Sequence, residues 1–487
     1  MLWISMPALI IGAGCVLSAE GPQTVTLTPG QDIQAIVERA PPGSQFHFEP
    51  GVYPEQTIYP KDGQQFLGQE GVILSGAVEL KSWRNDAGLW RHDGLPPPLS
   101  AHGKCAGGGD LCTLREDLFL DGRLYERVGL PDDLGAGKWY YEDGRAYLVD
   151  DPSGASVELS VTPLAFGGRA ERVVLADLIV EKYASDAQEG AIFIDDARGW
   201  LLSNVTARWN HGAGLSFGPE TRVEKGSYSH NGQIGMAGSG GEGSRIQGVE
   251  IAFNNYAGYS AGWEAGGTKF WDTKGLIVRD SCVHDNKGKG LWTDYDNVDT
   301  LYEGNVVFMN ANDGIKHEIS YSATIRNNIV SANGWGYDNW LWGSQILVQN
   351  SSNVKVLDNL VEVAGDFGNG ISIVYQDRGA GAYGPWHSVS NTVYDNTIIH
   401  LGSHGQNGIA TDEDDDSFWQ EADNRFDRNT YIVADLDTEY WTSKDRDGLW
   451  DEVGDLGLEA NGDRIVEQRT PMELSCDYRM PHGNGAG

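Results

Sequence analysis

Basic residues are scarce in this chain: 35 Lys and Arg stand against 70 Asp and Glu, for a formal charge of −35. That balance excludes nucleic acid and anionic membrane as partners, since both select basic surfaces. It also weighs against a polyanionic substrate unless calcium bridges the two. Cysteine is nearly as sparse. Five residues are too few for a disulfide scaffold, and no Cys/His spacing suggests zinc, so no metal ligand set is expected. Cys105 and Cys112 flank a glycine-rich loop and either pair in an oxidising compartment or stay as two thiols in a surface insertion. Cys282 falls where the repeat points inward and reads as a packing residue.

Beyond the N-terminus no apolar run is long enough to span a bilayer, which excludes membrane insertion. The first segment, MLWISMPALIIGAGCVLSAEG, lacks the basic residues that usually precede a leader's apolar core. Its apolar length and Ala19 still read as a signal peptide over residues 1–19, with Cys15 only loosely placed for lipid attachment. The expected location is therefore secreted, periplasmic or cell-surface.

What the chain does have is a repeat. Fragments such as SNVTARWN, DSCVHDN, GNVVFMNAN, NNIVSANG, DNLVEVAG and DNTIIHLG recur at positions 204, 226, 248, 281, 305, 328, 359, 396 and 429, with Asn204 as the first. The base unit is 22–24 residues, with occasional longer loops. Short alternating runs bounded by Gly and Asn are strands with tight turns. Strands at this period describe an all-β, right-handed parallel β-helix, its coils about 4.8 Å apart. The recurring Asn residues are expected to form a side-chain ladder at one turn.

The division that follows is a cap and first coils at 20–82, an inserted β-structured subdomain at 83–166, the main β-helix at 167–435 and a tail at 436–487. In the cap, a short amphipathic helix should turn Ile33, Ile36 and Val37 onto the first coil, covering an edge that would otherwise invite aggregation. Residues 24–465 resemble the secreted bacterial right-handed β-helix proteins of the pectate-lyase-like superfamily. That resemblance implies the fold and a carbohydrate ligand, not a chemistry.

Gly290 opens Leu-Trp-Thr-Asp, and Gly314, 24 residues later, opens Ile-Lys-His-Glu, so Asp294 and Glu318 share one place in successive units. Strand alternation turns Leu291, Thr293, Ile315 and His317 inward. Outside are Lys269 and Trp271, then Trp292, Asp294 and Asp296, then Lys316, Glu318 and Ser320. Stacked carboxylates repel, and about 5 Å between them suits a retaining glycosidase, in which one attacks and the other donates a proton. Trp263, Trp271, Trp292 and Trp340 offer faces on which sugars stack, and Asp296, Lys269 and Lys316 are further candidates for contact with an oligo- or polysaccharide substrate.

GLWTD and IKHEIS resemble the catalytic segments of the parallel β-helix β-xylosidases of glycoside hydrolase family 120. The resemblance implies Asp294 as nucleophile and Glu318 as acid/base, while Tyr321-Ser322-Ala323 departs from the pattern. No cofactor is expected on this reading. A second reading is a lyase or C5-epimerase of uronate polymers, with Lys269 or Lys316 as base and calcium held by Asp294, Asp296 and Glu318. A third is a non-catalytic carbohydrate-binding or surface-structural β-helix. Other matches are weaker. Residues 214–218 (GLSFG) and the glycines at 238, 240 and 243 lack the following helix that their motifs need. Residues 412–416 (DEDDD) read as a solvated loop and 445–448 as an incomplete calcium loop.

Overall fold

Strands of two to eight residues, each too short to be stable alone, pair in parallel with the equivalent strand of the next coil. The computed structural model describes residues 21–477 apart from 101, 338, 414–417, 420–421 and 445. The leader reading at 1–19, Cys15, most of the acidic run at 412–416 and Asp445 lie outside the described residues. The rest is a parallel β-helix of three faces. One face runs from Thr24–Leu27 to Arg425–Asp427, a second from Gly51–Pro54 to Asp463–Val466, and a third from Phe166–Gly167 to Trp441–Ser443.

The register stacks like on like. On the second face Val283, Val307, Val330, Val361, Ile398 and Tyr431 follow one another through successive coils, all fully buried. On the third face Leu291, Ile315, Ile346 and Ile371 do the same. At the N-terminal end the helix Ile33–Arg39, capped by Asp32 accepting from the Ala35 amide at 3.0 Å, buries Ile33 and Val37 with Ile36 packed beside them. Among the described residues no helix is long and apolar enough to cross a membrane.

Two side-chain amide ladders seal the corners. The first runs Ser281, Asn305, Asn328, Asn359, Asn396 and Asn429, each backbone amide donating to the next side-chain oxygen at 2.9–3.1 Å. Glu459 accepts from its last rung. A second runs Asn210, Asn231, Asn254, Asn286, Asn310 and Asn333 and ends on Gln345. Asn204, expected as the first rung, is not one. It holds φ 53°, as do Asp280, Asn327, Asp358 and Asp395 within a few degrees, at the left-handed corner one residue earlier. Short polar side chains tolerate that conformation, so the sequence signal mixed corner and rung.

The mostly antiparallel sheet inserted into the coil takes in strands from Ala77–Glu79 to Val157–Ser160 around its own core of Leu118, Trp139 and Leu148. It docks on the β-helix through His211, which is buried between Asp117 at 3.0 Å and the Cys112 carbonyl at 2.9 Å. Cys105 and Cys112 form a disulfide. The packing role expected for Cys282 is overturned: Val283 is the inward residue, and Cys282 on the outer side is bonded to Cys476, 194 residues away. The alternation was read one residue out, and nothing local announces a partner so distant.

Removing a rung should show what the ladder contributes. Asn310→Ala deprives the Asn286 amides of their acceptor and the Val283 carbonyl of its donor, all buried. Stability should fall by about 2 kcal/mol or more, read as a lower urea midpoint with unchanged secondary structure.

Candidate active site

Gly290 and Gly314 open the two key strands because the ladder leaves no room beside them. A Cβ on Gly290 would meet the Gly314 carbonyl at 2.5 Å, and one on Gly314 would meet Asn333 Nδ2 at 2.7 Å. The strands Leu291–Asp294 and Ile315–Glu318 then pair in register, Trp292 with Lys316 and Asp294 with Glu318. The corner that follows is fixed by Asn297, whose Nδ2 donates to Ser320 Oγ at 3.1 Å. Ser320 is therefore turned into the corner rather than outward.

Asp294 and Glu318 lie on the floor of a cleft of about 810 Å3. Trp292 and Lys316 share the floor. One wall is the segment with Ser260 and Trp263, joined by Ala106 of the disulfide-closed loop. Tyr337 and Trp342 form another, and Gln376 and Arg378 a third. Glu318 is gripped on several sides: Lys316 Nζ lies at 3.0 Å, Trp292 Nε1 donates at 3.0 Å, and Arg378 donates at 3.3 Å. Asp294 has one cation, Lys269 at 2.9 Å, whose ammonium also holds Glu264 at 2.5 Å.

These surroundings push the two carboxyls apart. Burial and the charge of Glu318 raise Asp294 against the pull of Lys269. Burial would raise Glu318 as well, but Lys316, Lys289 and Arg378 outweigh it and hold it far below the ordinary range. The two carboxyls titrate as a coupled pair, Asp294 pushed up and Glu318 held down. Lys269 and Lys316 resist the lowering effect of burial because carboxylates raise both. At Lys289 burial, followed by Lys316, outweighs the pull of Glu318, Asp313 and Asp294 and brings it down to about 8. His317 points into the core, bonded to Thr293 Oγ1 at 2.7 Å, and burial lowers it to about 4.

Of the residues singled out in the sequence, Asp294, Glu318, Trp292, Lys269, Lys316 and Trp263 come together at the cleft. Asp296 does not. It is buried, accepting from the Ala382 amide and from Trp386 Nε1, both at 2.9 Å, so it anchors a loop. The left-handed backbone at Tyr295 and Asp296 ends the alternation that put it outside. Trp271, half-buried, and Trp340, exposed and edge-on to Trp342, do not line the cleft. Glu264, Lys289, Gln349 and Arg378 were missed. Gln349 was legible, being one coil beyond Glu318 in the same register. Lys289 sits in NKGKG, just before the strand. Arg378 comes from a long loop without periodic signal.

Residues 190–352 match the family model described as the right handed beta helix region. No curated protein matches the chain. A solved structure of XylC in complex with xylose is similar over 93% of this chain and 87% of that one, at 15% identity and a TM-score of 0.67. The A-module of the Azotobacter vinelandii mannuronan C-5 epimerase AlgE6 covers 90% and 95%, at 12% identity and a TM-score of 0.43. The first of these likenesses fixes the fold, a right-handed parallel β-helix.

Glu318→Gln should destabilise the protein near neutral pH by up to ~3 kcal/mol, because it strands buried cations. Glu318 titrates lower in the folded chain, so its contribution is full above the unfolded carboxyl range and is lost as pH falls through the depressed folded value. The gap in thermal midpoint between wild type and variant should therefore close in strong acid.

Proposed function

We propose that this chain is an exported carbohydrate-active enzyme that hydrolyses a glycosidic bond with retention of configuration. The observation that carries it is the Asp294–Glu318 register on adjacent coils, on the floor of a cleft flanked by Trp263, Trp292, Tyr337 and Trp342. Coil stacking separates such groups by about 5 Å, the spacing at which one carboxylate reaches the anomeric carbon while the other reaches the leaving oxygen. Trp263 and Trp342, both partly exposed, offer apolar faces to sugar rings. Two disulfides suit an oxidising compartment.

The resemblance to β-xylosidases gives Asp294 the attack and Glu318 the proton transfers. The surroundings push the two carboxyls the other way, Asp294 up and Glu318 down, so bound substrate has to reverse that order. A leaving oxygen and neighbouring hydroxyls seated over Glu318 compete with Arg378 and Lys316 for its oxygens, which loosens the contacts that keep it ionised. Asp294, still beside Lys269, then becomes the anion and attacks. Glu318 protonates the leaving group and afterwards takes a proton from water.

The lyase or epimerase reading asks for a neutral lysine base. Lys269 and Lys316 are both held protonated by carboxylates. Its calcium set loses Asp296, whose oxygens are committed to Ala382 and Trp386.

A screen of aryl glycosides tests the proposal, followed by both alanine variants on the best substrate. Asp294→Ala should lower turnover roughly 10³-fold or more on every substrate. Glu318→Ala should still release an activated phenol in a burst and recover turnover with azide, giving a glycosyl azide of retained configuration. The reverse pattern exchanges the roles. Sugar binding without any turnover by the wild type would return the site to a binding module.

A further inference from the structure

Lys289 is held differently from the other cations of the cleft. Lys269, Lys316 and Arg378 each lie within 4 Å of a carboxylate. Among the described residues no carboxylate comes that close to Lys289. The residue is 94% covered, and its ammonium donates to the Ala261 carbonyl at 2.8 Å and lies 4.1 Å from the centroid of the Trp292 ring. An ammonium has three donors, so one is left for a ligand. The side chain lines the cleft, so that donor is within reach of whatever enters it.

Burying a cation is costly, and the nearby carboxylates do not fully offset that cost at Lys289. The charged groups that act on Lys289 are Lys316, Glu318, Asp313 and Asp294, and burial and Lys316 prevail. A ligand hydroxyl would satisfy the donor but leave the charge unbalanced. A ligand carboxylate would do both. The position also suits a sugar. Trp292 presents its face to Lys289 and its indole N–H to Glu318, so a group held by Lys289 lies one indole away from the reacting carboxylate. Substituent and anomeric centre of one sugar ring can span that width.

We propose that the cleft takes glycosides of an acidic sugar, and that Lys289 receives the carboxylate of that sugar. This rests on the saccharide reading above and narrows its substrate class. Lys289 acts here as a specificity residue, not as a base. The charge of −35 on the whole chain disfavours long polyanions, so the ligand is a short glycoside with one carboxylate seated at the local cation.

Calorimetric titration of the intact protein with D-glucuronate and D-galacturonate, set against D-glucose and D-galactose, tests this without requiring turnover. Each uronate should bind about 10-fold or more tightly than its neutral counterpart near neutral pH. The preference should shrink as pH rises past about 8, because the free lysine then has to gain a proton on binding. Lys289→Met should bring the ratio to about one, and Lys289→Arg should keep it. Equal affinities in the wild type, or an unchanged preference in a folded Lys289→Met, overturn the inference. Neutral sugars that bind where uronates do not sink it while leaving the saccharide reading intact. Failure of all four sugars to bind overturns the inference, and the aryl glycoside screen then decides the saccharide reading on its own.

Discussion

Everything in this molecule depends on coils stacking in strict register, and the side-chain amides inside the corners enforce it. An asparagine side chain offers one acceptor and two donors, enough to bond the coil above and the coil below at once. Each buried rung is satisfied only if its neighbours occupy equivalent positions. A slip of one residue would empty the rungs and turn each strand's inner set outward. The glycines beside the rungs follow from the same constraint, since a side chain there would collide with the ladder.

Register of this kind converts sequence periodicity into chemistry. Residues 24 apart in the chain become neighbours at strand spacing, so a carboxylate pair can be written as a repeated position rather than assembled from distant loops. The fold supplies the separation and the local cations supply the asymmetry. Glu318 is crowded by donors and Asp294 is not, although the two occupy equivalent sites. Two like groups thereby acquire unlike acidities without any difference in backbone.

That logic explains which parts of the structure could be read in advance. Coil, inward stacks, cap helix and carboxylate pair all obey a period and were visible in it. The errors fall where the period breaks. Asp296 follows a left-handed residue, so alternation no longer says where it points. Cys282 was placed by a register one residue out. Arg378 and Trp342 come from loops whose lengths vary between coils, and no spacing rule brings them to the cleft. Lys289 belongs to a glycine-flanked bend, and only its burial distinguishes it from the lysines of an ordinary surface.

The bond from Cys282 to Cys476 acts along the axis of the solenoid rather than across it. The returning tail also gives its Met472 amide to Glu362 at 3.0 Å, so it crosses from the coil of Glu362 back to the coil of Cys282. A linear stack frays from its ends, each coil peeling once its neighbour has left. A longitudinal brace stops that peeling, because the braced coils can part only together. The coil of Cys282 carries Asp294, and the coil of Glu318 lies inside the braced span. The reactive spacing is a distance between coils, and the tail therefore acts as a ruler held against it.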